Sequence, residues 1–106
     1  MPEPAAMLLI FVNEADLWRD TPLYEAIIRR LRELNLAGAT AHAGLMGFGH
    51  HHRVNERGLF GGTVDRPVTI MAVDTDQKLR AVLPELRAFV HEGLMLLLPA
   101  DVVHGL

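Results

Sequence analysis

Two short apolar runs, Met7 to Asn13 (MLLIFVN) and Pro67 to Asp74 (PVTIMAVD), are each followed by a stretch of helical periodicity. This doubled order constrains the fold more than any other feature of the chain. The first run is continuously apolar and bounded by the polar NEAD, the pattern of a strand buried on both faces. The second is rich in β-branched residues and carries its proline at the first position, which a strand tolerates. After the first run, Thr21 is expected as an N-cap and Pro22 as the first helical residue. Leu23, Ile27, Leu31 and Leu34 then repeat at helical spacing until Asn35 and Gly38 stop the helix. After the second run, Thr75 is expected to cap a helix with an apolar stripe of Leu79, Val82, Leu83, Leu86 and Val90. Pro84 inside that stripe is expected to kink or divide the helix, and Gly93 to end it. Ala39 to Gly44 is read as a further strand from its position. Leu94 to Leu98 is read as the last strand, closed by Pro99, and ADVVHGL as a short edge strand or a tail used between subunits.

The order strand, helix, strand, long loop, strand, helix, strand predicts an α+β fold. It is the split βαβ, or ferredoxin-like, βαββαβ sandwich: an antiparallel four-stranded sheet with two helices on one face. At 106 residues with no compositional break, residues 1–106 are expected to form a single domain. The other sheet face has no helix to cover it, and the last strand offers five apolar residues in succession. Subunits are therefore expected to pack over that face in a small homo-oligomer. The informative departure is the connection between the second and third strands, normally a short hairpin. Here Leu45 to Arg66 make it, and loops of that length in compact domains are usually functional or disordered.

Composition removes several functions. A formal net charge of −3 gives no electrostatic case for nucleic acid, whose readers concentrate basic charge on one face. There is no cysteine and no serine, so thiolate metal sites and the familiar nucleophilic triads are absent. Lys78 is the single lysine, and no stretch fits the GxxxxGK[ST] phosphate loop. Ala5 to Val12 is far short of the ~20 apolar residues that span a bilayer. The opening MPEP also lacks the positive charge of a signal peptide, so no membrane insertion and a cytoplasmic location are expected. Glu14, Asp16, His42 and Asp74 could serve acid–base chemistry, yet no spacing brings two of them together. A binding or regulatory module is expected rather than an enzyme.

The loop holds the candidate site. Gly44, Gly47 and Gly49 form G-x-x-G-x-G, which lacks the strand-to-helix context of a dinucleotide fingerprint. Glycines there could still let the backbone approach an anion, or they could simply bend the chain leaving a strand. Arg53, Arg57 and Arg66 suit bidentate contact with phosphate or carboxylate, and equally suit a solvated loop. His50, His51 and His52, with His42, His91 and His104 elsewhere, raise the alternative of a divalent metal. Three consecutive residues, however, rarely aim at one ion. Phe48 could stack on a ring or anchor the loop. His91, Glu92 and Gly93 form a second candidate turn, which could also be an ordinary helix end.

Three stretches, PLYEAIIRRLRELNLAGATAHAGLMGFG, RPVTIMAVDTDQKLRAVLPEL and VHEGLMLL, together resemble the PII-like family catalogued as domain of unknown function one-ninety. The likeness runs from about Ile10 to Leu98. It implies a ferredoxin-like fold, a homotrimer, and kinship with PII signalling proteins that bind adenine nucleotides in clefts between subunits. In those relatives the long loop contacts a regulated partner, often a membrane transporter, and some family members occur beside fluoride exporters. By the same resemblance Gly44, Gly47, Phe48 and Gly49 match the family's loop start, Arg53 a basic position after it, and Glu92 and Gly93 the turn before the last strand. Asn55 stands where members often have a histidine. The lysine- and glycine-rich second phosphate loop of true PII proteins is absent.

Overall fold

The computed structural model describes residues 3–48, 55–56, 65–91 and 93–106. Four strands form one sheet: β1 (Ala5–Asn13), β2 (Gly38–Ala43), β3 (Pro67–Thr75) and β4 (Leu94–Ala100). Helix α1 (Leu23–Glu33) joins β1 to β2, and α2 (Asp76–Phe89) joins β3 to β4. The sheet order is β2-β3-β1-β4 with every neighbouring pair antiparallel. This is the ferredoxin-like arrangement expected from the doubled pattern.

The pleat explains which residues build the core. Ala6, Leu8, Ile10 and Val12 of β1 point one way, as do Val68, Ile70 and Ala72 of β3, and all seven are buried. Against them lie Leu23, Ile27 and Leu31 of α1 and Leu79, Val82 and Leu86 of α2, with Val90 beyond its end. The spacing of three and four residues keeps each set on one helical face. Each such Leu or Ile contributes roughly 1.5–3 kcal/mol by leaving water.

Helix α1 does not start as expected. Thr21 and Pro22 pair with Trp18 and Leu17 in a two-residue antiparallel ladder, so Thr21 lies outside the helix. Pro22 occupies the cap position without a side-chain cap bond. Part of what a cap would do falls to the Asp16 carbonyl, which accepts the Leu23 N–H at 2.8 Å. The far end agrees with expectation: Asn35 turns left-handed at φ 61°. The Leu36 N–H then reaches the Leu31 carbonyl at 3.2 Å and the Asn35 N–H the Arg32 carbonyl at 3.0 Å, the paired bonds of a Schellman stop.

Thr75 caps α2 as expected, its Oγ1 accepting the Lys78 N–H at 3.2 Å. Pro84 leaves α2 a single helix. It sits on the exposed face, where water can serve the carbonyl that its missing N–H abandons. The helix stops at Phe89, four residues before Gly93. Strand β1 begins at Ala5 rather than Met7, and β4 continues through Pro99 to Ala100. An edge strand can absorb a proline because one side of its backbone has no ladder to lose. Residues 101–106 add no strand.

The opposite sheet face carries Met7, Leu9 and Phe11 of β1, Met71 and Val73 of β3, and Leu94, Leu96 and Leu98 of β4, aligned by the register. No described element covers it. Phe11, Leu94, Leu96 and Leu98 are all exposed.

Candidate functional site: the base of the long loop

The loop leaves β2 at Gly44, and the geometry there is set by Pro67, the first residue of β3. The Gly44 N–H donates to the Pro67 carbonyl at 2.7 Å, and a Cβ on Gly44 would lie 2.9 Å from Pro67 Cγ. Only a glycine permits that approach without displacing the proline ring. Gly47 is less tight, its would-be Cβ 3.4 Å from the same atom. Beyond, Met46 and Gly47 pair with Glu56 and Asn55 in a second short antiparallel ladder. Leu45, Met46 and Phe48 are exposed along its start.

The returning limb is held by the β1–α1 connection. Arg66 reaches Glu14 Oε2 with Nη2 at 2.8 Å and Nε at 3.2 Å, while the Glu14 N–H donates to the Arg66 carbonyl at 2.8 Å. Asp65 Oδ1 accepts the Ala15 N–H at 3.1 Å. Arg66, a phosphate candidate by residue type, is thus spent on a carboxylate 52 positions away in sequence. Nothing in local spacing signals that pairing.

Gly93 has a comparable role in the second candidate turn. A Cβ there would meet Val90 Cγ1 at 2.5 Å and the Phe11 carbonyl oxygen at 2.8 Å. Close packing of the turn against the end of β1 therefore accounts for this glycine.

Asp74 is the one buried charged side chain among the described residues. Its carboxylate accepts the Thr75 N–H at 2.7 Å and the Ala37 N–H at 2.9 Å, with Lys78 Nζ 3.6 Å away. Lys78 also donates to the Asn35 carbonyl. Burial alone would raise the Asp74 pKa, but the two backbone donors and the ammonium outweigh it and hold the carboxyl below its ordinary value. Asp74 therefore ties the α1–β2 turn to the start of α2. His42 stands apart from it, exposed on the open sheet face opposite Thr69.

Gly49, His50, His51, His52, Arg53 and Glu92 lie outside the described residues. Among the described residues, no group of three or more His, Asp or Glu side chains is placed to hold a metal ion. None of the described helices is long and apolar enough to cross a membrane. Two shallow grooves, of about 250 Å³ beside β2 and about 220 Å³ beside β4, border the sheet, and neither is lined by residues 44–48.

The model of the DUF190 family, described as an uncharacterized ACR, matches residues 5–102. The chain belongs to the DUF190 family. A UPF0166 protein of Aquifex aeolicus is 28% identical over 98 residues, covering 92% of each chain. A UPF0166 protein of Methanocaldococcus jannaschii is 30% identical over 102 residues, covering 95% of this chain and 94% of its own. Among solved structures, the DUF190 chain is similar to CPII, a nitrogen regulatory PII-like protein from Thiomonas intermedia K12 bound to ADP, AMP and bicarbonate. The TM-score is 0.72 at 20% identity, over 95% of this chain and 90% of that one. The divalent ion tolerance protein CutA1 from Ehrlichia chaffeensis matches with a TM-score of 0.65 at 8% identity, over 96% and 86%. Both likenesses are of fold: the PII-like, ferredoxin-like sandwich.

Proposed function

We propose that this DUF190 protein is a cytoplasmic PII-like regulator. It assembles as a homotrimer through its open sheet face and binds a small anionic ligand, an adenine nucleotide, in the clefts between subunits. It acts by binding rather than catalysis, and the loop of residues 45–66 passes the ligand state to a partner such as a membrane transporter.

The observation that carries this reading is the bare apolar face. Eight side chains from three strands lie there without intramolecular cover among the described residues, and a second copy of the same surface is the simplest means of drying them. The two grooves described on one subunit are shallow and neither is lined by residues 44–48, which favours a site completed by a second subunit. The anchored loop base supports the same reading, since Arg66 and Gly44 fix both ends of the connection to the sheet. CPII, of similar fold, was solved with adenine nucleotides and bicarbonate, which sets the ligand panel.

The test is a thermal-shift series with AMP, ADP, ATP, cyclic AMP and bicarbonate. At one hundred times the dissociation constant a ligand adds about 2.7 kcal/mol of stability, so at least one should raise Tm by several degrees. Arg53→Ala should weaken that ligand roughly tenfold or more, the worth of a charge-assisted hydrogen bond. No shift with any member of the panel would overturn the nucleotide reading.

A further inference from the structure

We infer that β4 is a docking edge for residues 101–106 of a second copy of this chain, which add to it as an extended strand; this rests on the self-assembly proposed above. Strand β4 exposes more large apolar side chains than any other strand of the four-stranded sheet. Its outer edge pairs with no other described strand, and its open-face residues Leu94, Leu96 and Leu98 are exposed. On the helix side, Met95 and Leu97 are only half-buried and border a groove of about 220 Å³ closed by Leu83 and Arg87 of α2. A free edge with apolar side chains on both faces invites another strand.

The segment immediately after β4 has the character of such an occupant. Residues 101–106 form no strand or helix, yet Val102, Val103 and Leu106 are exposed, Val103 to 92%. β-Branched residues suit an extended partner strand, and successive valines would present one side chain to each face of the sheet. Arg87 at the groove rim has no carboxylate partner among the described residues, and Asp101 supplies one on the incoming segment.

The segment cannot readily serve its own β4. Folding back would need a tight hairpin turn directly after Ala100, with left-handed residues, where the chain has Asp101, Val102 and Val103. The one left-handed residue of the segment is Gly105, at φ 93°, near its far end. The groove at the other sheet edge fits less well, because β2 turns only Ala39, Ala41 and Ala43 toward the helix side. Head-to-tail docking of this kind closes into a ring when the rotation relating successive copies closes.

The absence of cysteine makes the test clean. Leu83→Cys is mixed in turn with Val102→Cys and with Val103→Cys under subunit exchange, oxidised mildly and run on a non-reducing gel. One of the two mixtures should give a species of twice the chain mass and the other little, because neighbouring residues of a strand face opposite ways. Met95→Cys replaces Leu83→Cys if the latter folds poorly, and Ile28→Cys, beside β2, serves as the control groove. Cross-linking through Ile28, or a disulfide within one chain of the Leu83→Cys/Val103→Cys double variant at high dilution, would overturn the inference. So would an intact oligomer with no cross-link, which leaves the assembly itself standing. A monomer by sedimentation would overturn both.

Discussion

Asp74 shows how one residue's chemistry depends on its surroundings. As a sequence letter at the end of an apolar strand it is a candidate acid. In the fold it is a buried acceptor that joins Ala37, Thr75 and Lys78. Asp74→Ala should cost roughly 1–3 kcal/mol for each backbone donor left without an acceptor, measured by urea unfolding at pH 7. The pH dependence has a definite sign. The folded-state pKa is lowered, so the stabilisation is present above the unfolded value of about 3.9 and is lost as pH falls below it toward the folded value. Asp74→Asn should therefore lose less stability than wild type between pH 6 and pH 3, and an unchanged loss would refute this role. Gly93 makes a second point at this scale. Gly93→Ala should destabilise by about 1–3 kcal/mol through overpacking against Val90 and the Phe11 carbonyl. A neutral effect would show that the turn yields. The glycines at Gly44 and Gly93 were legible as special positions, but their reason was not. Pro67, which constrains Gly44, and Phe11, which with nearby Val90 constrains Gly93, lie far away in the chain.

At the level of elements, periodicity was readable wherever a face is buried, and less so where tertiary contacts decide an end. Leu79, Val82 and Leu86 announce α2, and Thr75 its start, because both signals are local. The start of α1 was misplaced, since Thr21 is taken into a ladder with Trp18. That pairing depends on a turn through Arg19, left-handed at φ 56°, which no Gly or Asn marks. Pro99 looked like a strand terminator and is not one, because β4 is an edge; edge status is a property of the sheet and not of the segment. The Glu14–Arg66 clamp was equally hidden by its sequence separation. Half-exposed, it should contribute no more than about 1 kcal/mol to global stability. Its effect should be local: Arg66→Ala is expected to speed hydrogen exchange at the Glu14 and Gly44 amides while leaving the core strands protected. Uniform loss of protection across β1 and β3 would contradict a local clamp.

Taken whole, the molecule is a two-layer sandwich with one layer missing its cover. The doubled strand–helix order makes the architecture legible from sequence. The five consecutive apolar residues Leu94 to Leu98 make the open face legible too, because a strand apolar on both sides needs partners on both sides. The candidate site was legible only as a loop, for residues 45–66 carry neither the helical nor the alternating periodicity by which buried elements announce themselves. Leu98→Glu places a charge on the open face at a position already exposed in the single subunit. It should yield a folded monomer by sedimentation velocity. The central claim, that ligand is held between subunits, is tested most directly by calorimetric titration of adenine nucleotides into wild type and the Leu98→Glu monomer side by side. The account expects saturable binding of at least one nucleotide to the wild-type oligomer and its loss in the monomer. Equally tight binding by the monomer, or no binding by either protein, would contradict it.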